Sequence, residues 1–111
     1  MAEYGEWSRK GATLSDKTAR KEYRIDQEFI IKGIEAKKLE YRYSSVWGNP
    51  FIRLLRRQLE DYIKAELGET YLINATGRTE LKKITKEMKE LQEKLAALAA
   101  RKAALEKVLG K

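Results

Sequence analysis

Arginine side chains cluster in one acid-free stretch of the chain and could bind phosphate. Between Glu40 and Glu60 there is no acidic residue. A guanidinium group presents a rigid fork of donors to phosphate oxygens, so a basic cluster of this kind is typical of surfaces that meet nucleic-acid backbones. The alternative, which the composition leaves open, is an ordinary solvated face. The arginines of this stretch are Arg42, Arg53, Arg56 and Arg57.

The amino-acid composition excludes several other kinds of functional site. The 111 residues include no cysteine and no histidine. This excludes disulfides and cysteine nucleophiles, and it removes most zinc sites and the commonest general base. No glycine-rich phosphate loop and no nucleophile–base pair is visible, and the acidic residues form no convincing catalytic pair. We therefore expect a protein that is not an enzyme and that has no cofactor and no metal site.

The net charge of +7 is spread unevenly along the chain. Residues 78–111 hold ten Lys or Arg against five Glu, which leaves the first 77 residues with fourteen against twelve. The overall basic character is therefore weak evidence for nucleic-acid binding, which rests instead on the short acid-free stretch. No apolar run approaches the roughly 20 residues that cross a bilayer, and the N-terminus does not look like a secretory signal. We expect a cytoplasmic protein without a membrane partner.

Local signals in residues 14–67 predict a compact domain that would position the arginines. Ser15 or Asp16 can cap a first helix and Asp26 a second, because their side-chain oxygens accept from free backbone amides. Gly33 weakens the second helix and therefore indicates close packing. The predicted elements are helices over residues 17–22 and about 27–37, strands over 39–43 and 51–54, and a helix over 55–67.

A hairpin between the two predicted strands would bring two of the arginines together. Alternation and two tyrosines favour the first strand, and the turn-like run from Ser44 to Pro50 separates it from the second. Pairing Arg42 with Arg53 would place both on one face. Gly68 is well placed to end the helix that follows. The chain then divides into a lead-in (1–13), the compact domain (14–67), a connector (68–77) and a long helix (78–109).

The long helix carries an apolar seam. With Leu81 as heptad position a, eight of the nine a and d positions are apolar over four heptads, which predicts a coiled coil. The simplest partner is a second copy, and Lys102 at an a position favours a dimer. A parallel pair would bring Arg101 near Glu106, an antiparallel pair is also open, and the alternative is a helix folded back on its own domain. The predicted seam is Leu81, Ile84, Met88, Leu91, Leu95, Leu98, Lys102, Leu105 and Leu109.

The compact domain resembles the DNA-binding domains of MerR-type regulators and phage excisionases. The order of helix, turn, helix, two-stranded wing and helix is similar, and Lys38-Leu39 matches the step that ends the recognition helix in those families. The segment 17–23 and Trp47-Gly48 also resemble the DNA-binding region of the xeroderma pigmentosum group A repair protein. The expected fold is therefore mainly α: a winged helix-turn-helix domain of three helices and a two-stranded hairpin, followed by one coiled-coil helix.

The resemblance implies DNA binding by the helices and the wing. Asp26 and Glu28 would repel phosphate at the start of the second helix, where only Gln27 could read a base edge, so we expect the wing to contact the backbone. Trp47 could stack or wedge in a minor groove, the alternative being a half-buried turn residue. The candidate contacts are Lys17, Arg20, Lys21, Gln27, Lys32, Arg42, Trp47, Arg53, Arg56 and Arg57.

Two functions are compatible with these patterns. The first is a small DNA-binding protein, of a regulatory or mobile-element kind, that dimerises through its C-terminal helix. The second is a protein-interaction adaptor, in which the winged domain is a scaffold and the helix pairs with a partner. The weak net charge of the first 77 residues and the acidic start of the second helix favour the adaptor.

Overall fold

The computed structural model describes residues 2–110, which are mostly helical and include a small antiparallel sheet. The chain divides after Gly77 into two compact units. A short 3-10 turn, Glu6–Ser8, precedes the first strand. The elements that follow are β1 (Thr13–Ser15), α1 (Asp16–Tyr23), α2 (Gln27–Glu35), β2 (Tyr41–Val46), β3 (Asn49–Leu55), α3 (Arg56–Leu67) and α4 (Glu69–Val108).

Side-chain caps begin the first two helices, as predicted. Ser15 Oγ accepts a hydrogen bond from the Thr18 amide at 3.1 Å, and Asp26 Oδ1 accepts one from the Phe29 amide at 2.8 Å. Each cap satisfies an amide that has no partner inside its helix. The second helix ends at Glu35, two residues earlier than predicted, and Lys37 follows it in the left-handed conformation.

Close packing at Gly33 is confirmed. A Cβ atom built at this position would lie 2.6 Å from Leu39 Cδ1 and 2.8 Å from Tyr62 Cε2. Such distances are well inside van der Waals contact, so only glycine lets α2 approach these side chains without a shift. The core around this contact is continuous. Its largest fully buried side chains are Tyr23, Ile30, Leu54, Leu59 and Ile63.

The sheet has three strands rather than the two predicted. Their order is β1-β3-β2, and Leu14 of β1 pairs with Leu54 in the centre. A strand of three residues shows too little alternation to be visible in the sequence, which explains why β1, at the boundary of the lead-in and the compact domain, is not predicted. The predicted pairing of Arg42 with Arg53 is confirmed. Pro50 lies in the part of β3 that has only one neighbouring strand. Because proline has no N–H, it is tolerated at such an edge, where the sheet loses no hydrogen bond.

The segment predicted as a connector, residues 68–77, is helical from Glu69 and continues into the long helix. Gly68 ends α3 as predicted, with φ 95°, and α4 starts at the next residue. Tyr71 explains this tight junction, since its single hydroxyl proton lies between two acceptors, the carbonyl oxygens of Arg24 at 2.6 Å and Tyr23 at 3.0 Å from the hydroxyl oxygen. Ala75 is also fully buried. Tertiary contacts therefore outweigh the weak helix propensity of this segment.

The long C-terminal helix is confirmed over the predicted residues up to Val108. With 40 residues, α4 is about 60 Å long. Every residue from Glu80 to Gly110 is exposed. Within the described part of the chain, no helix combines the length and the apolar character required to cross a membrane.

Candidate nucleic-acid interface

Three cations of α1 point into solvent. Ala19 and Tyr23, four residues apart, form the buried stripe of this helix, which turns Lys17, Arg20 and Lys21 outward. Among residues 2–110, these three side chains have no ion-pair or hydrogen-bond partner. They are therefore available to an external anion.

The tip of the β2–β3 hairpin exposes a tryptophan. Val46 pairs with Asn49, so the turn consists of two residues, Trp47 and Gly48, with φ values of 53° and 81°. A two-residue turn with both φ angles positive suits Asn and Gly, and a bulky residue there is strained. The Trp47 side chain is 94% exposed, so the half-buried alternative is wrong. The backbone at Trp47 is strained, and its exposed side chain adds little packing to the fold. This combination makes Trp47 a candidate for binding another molecule.

A cleft of about 490 Å³ joins the N-terminal end of α1 to this hairpin tip. Lys17 and Arg20 line one side, and Trp47 lines the other. Asp16 also lines it, but its carboxylate oxygens accept from the Lys17 amide at 3.0 Å and from Gln27 Nε2 at 3.1 Å. The cleft therefore offers two cations and an indole beside a carboxylate that is already hydrogen-bonded.

The two candidate contacts on α2 are engaged inside the fold. Gln27 donates its side-chain amide to Asp16, which uses the group that could have read a base edge. Lys32 lies 3.2 Å from Glu28, four residues earlier on the same exposed helix face. The hydrogen bond to this carboxylate raises the pKa of Lys32. Neither side chain lines the cleft.

Arg56 joins two helices and the lead-in. Its Nη1 atom lies 2.8 Å from Glu22 Oε2 and 2.8 Å from the Tyr23 hydroxyl, and its Nε donates to the Gly11 carbonyl at 3.3 Å. The Tyr23 hydroxyl in turn donates to Glu60 at 2.6 Å. Burial and this hydrogen bond raise the pKa of Tyr23. The network holds α1 against α3 and keeps Arg56 away from the cleft.

Arg57 is bound by a buried acid from the lead-in. Its Nε and Nη2 atoms donate to the two Glu6 carboxylate oxygens at 3.0 and 2.9 Å, and the Glu3 amide donates to the same group at 3.0 Å. The Glu6 side chain is only 3% exposed. Chiefly because of the hydrogen bond from Arg57, the pKa of Glu6 falls to about 2. The pair is thus charged at neutral pH.

The paired arginines of the sheet stack beside Trp7. The guanidinium carbons of Arg42 and Arg53 lie 4.5 and 5.9 Å from the centre of its indole ring, within the range of cation–π attraction. Arg53 also donates to the Trp7 carbonyl at 3.2 Å and to Thr13 Oγ1 at 3.0 Å. Sequence reasoning missed Glu6 and Trp7, because the arginines that they meet are at least 35 positions away.

The apolar seam forms a second candidate surface, on α4. Its apolar side chains are 45% to 70% exposed, which is unusual for leucine on a helix unless a partner covers it. Lys102 lies 3.9 Å from Glu106, on the next turn. Leu109 directly follows the last residue of α4.

Comparisons of the chain with protein-family models, with curated proteins and with solved structures give no match. The functional interpretation therefore depends on the geometry of the chain itself.

Proposed function

We propose that this chain is a small non-enzymatic DNA-binding protein that meets the duplex with α1 and the hairpin tip, and that pairs with a second copy through its C-terminal helix. In this interpretation α1 and α2 are the helix-turn-helix and β2–β3 is the wing. The observation that carries it is the cleft that Lys17, Arg20 and the exposed Trp47 line together.

The chemistry of the cleft favours the DNA backbone over base edges. Lys17 and Arg20 supply positive charge, and Lys21 adds a third cation one residue further along α1. Contacts of this kind fix the position of a protein on a duplex without reading its sequence. Trp47 provides a flat apolar surface that can stack on a base or wedge into a minor groove.

The hairpin and α3 arginines have a structural role in this proposal. Arg53, Arg56 and Arg57 each donate within the fold, so a phosphate would have to displace a protein acceptor from them. The unpaired cations of α1 meet a phosphate without such a loss. The expected footprint therefore centres on α1 and Trp47, with Arg42 at its edge.

Fluorescence anisotropy with a labelled duplex at about 50 mM salt tests the proposal, because phosphate contacts are strong at low salt. The double substitution Lys17→Gln/Arg20→Gln should weaken binding roughly tenfold and lower the salt dependence by about two phosphate contacts. Lys37→Gln/Lys38→Gln removes the same charge from a different cleft and serves as the control. It should retain most of the affinity.

Two outcomes would count against this function. Equal losses in both double variants would mean that net charge alone attracts the duplex, without a defined surface. A full-length chain that binds no duplex at low salt would refute DNA binding and favour the protein-interaction adaptor.

A further inference from the structure

The flank of the seam on α4 carries a segregated charge pattern. The residue before each of the first four a positions is a g position of the heptad, and all four are charged and exposed. Glu80 and Glu87 make the first half of this flank acidic, whereas Lys94 and Arg101 make the second half basic. Such a pattern distinguishes the two directions in which a second helix could lie.

We propose that the C-terminal helix pairs with a second copy of itself in the antiparallel direction. In an antiparallel pair the g flanks of the two helices meet and run in opposite directions. One register places Glu80 of each chain beside Arg101 of the other, and Glu87 beside Lys94. All four contacts are then between opposite charges, and none is between like charges.

The same register gives an apolar interior. It stacks Leu81 on Leu98, Ile84 on Leu95 and Met88 on Leu91, and the two-fold symmetry repeats each layer. These six layers bury side chains that are 45% to 68% exposed in the single chain. Lys102 falls outside them, so its charge stays in water.

In a parallel pair the same residues would make less favourable contacts. It would bring Lys102 of the two chains together in one a layer, where like charges repel. Its g positions would face e positions, which places Glu80, Glu87 and Lys94 opposite the uncharged residues Thr85, Gln92 and Ala99. Only Arg101 would meet an acid, Glu106, and that carboxylate already lies 3.9 Å from Lys102 of its own helix.

Disulfide trapping tests the direction, because the natural chain has no cysteine. Ile84→Cys and Leu95→Cys are made as separate proteins, one with a tag that shifts its size, then mixed and oxidised. The antiparallel register predicts a disulfide only between the two different variants. Two copies of residue 84 would be roughly 16 Å apart along the axis, beyond the reach of a disulfide at about 7 Å. Lys86→Cys, on the outer face, is the control that should not cross-link.

Charge reversal tests the flank pairing independently. Glu80→Lys/Glu87→Lys and Lys94→Glu/Arg101→Glu should each weaken self-association roughly tenfold or more, since four attractive contacts become repulsive. Mixing the two variants should restore a dimer, now between unlike chains. Glu90→Lys/Glu93→Lys changes the same charge on the outer face and should dimerise like the natural chain.

The antiparallel direction rests on the self-association in the proposed function. The experiments can nevertheless distinguish a wrong direction from a wrong function. A full-length monomer by light scattering would refute self-association and, with it, the direction. A dimer in which Ile84→Cys cross-links with itself would refute only the antiparallel direction. Duplex binding is measured by anisotropy, so its loss would leave the pairing of the helices intact.

Discussion

Two groups of cations in the first unit differ in what surrounds them. Arg53, Arg56 and Arg57 lie in an acid-free stretch of sequence, yet in the fold each donates to protein acceptors. Lys17 and Arg20 lie in a stretch that also holds Asp16 and Glu22, yet they have no partner among the described residues. The local density of positive charge in the sequence therefore does not predict which cations are free to bind a ligand.

The difference arises from where each group stands relative to the core. The α1 cations lie outside the buried stripe of a short helix, on exposed residues, and no acid among the described residues pairs with them. Arg53 lies in β3, the central strand, and Arg56 and Arg57 follow it, so the lead-in and α1 both pass close to these arginines. A guanidinium group that is partly withdrawn from water needs acceptors, and the fold supplies them.

The largest expected effect is on stability, at Arg56. Arg56→Gln removes the donor to Glu22 and to the Tyr23 hydroxyl, which leaves partly buried acceptors without that partner. We expect the free energy of unfolding to fall by about 2 kcal/mol, less than for a fully buried pair. Urea denaturation followed by tryptophan fluorescence measures it.

Arg20→Gln is the matched control for this comparison. It removes the same type of side chain from the exposed face of α1, so its unfolding free energy should stay within about 0.5 kcal/mol of the natural chain. Duplex affinity should follow the reverse order, with a loss for Arg20→Gln and little change for folded Arg56→Gln. Equal destabilisation by both variants would remove the distinction between the two groups.

Smaller effects are expected at the hairpin tip, where one substitution should increase stability and weaken duplex binding. Trp47→Asn creates an Asn-Gly turn, which suits two residues with positive φ, and should stabilise the fold by roughly 0.5–1 kcal/mol. The same change removes the stacking surface and should weaken duplex binding about fivefold or more. Thermal unfolding and anisotropy measure the two effects on one protein.

Trp47→Phe is the control at the tip, because it keeps an aromatic ring and the strained backbone. It should retain most of the duplex affinity with little change in stability. A Trp47→Asn variant that is less stable and binds equally well would show that the indole packs against the protein instead of a ligand.

Much of the local structure could be predicted because its signals are short in range. The caps at Ser15 and Asp26, the helix end at Gly68 and the pairing of Arg42 with Arg53 each depend on a few neighbouring residues. The misassigned parts depend on distant contacts. β1 exists because β3 lies beside it, and the start of α4 is held by Tyr71 against the end of α1.

The candidate site could be predicted only in part, for the same physical reason. The resemblance to DNA-binding families pointed to Lys17, Arg20 and Trp47, which the fold brings to one cleft. The acceptors of the arginines are far away in sequence: Glu6 is 51 positions from Arg57, and Glu22 is 34 from Arg56. No local pattern links such pairs, so the sequence could not show that these arginines are engaged.

A further expected effect depends on pH and concerns the Glu6–Arg57 pair. Because the pKa of Glu6 falls from 4.5 to about 2 on folding, the pair stabilises the fold fully above the ordinary pKa. That stabilisation should be lost as the pH falls from about 5 towards 2, where the carboxylate takes up a proton. Glu6→Gln should therefore be less stable than the natural chain at pH 7 and approach it near pH 2. Melting temperatures measured across this pH range test the prediction. The melting temperature of Arg57→Gln should depend on pH as weakly as that of Glu6→Gln. A stability difference between Glu6→Gln and the natural chain that stays constant with pH would mean that the lead-in does not bind Arg57 through this charge.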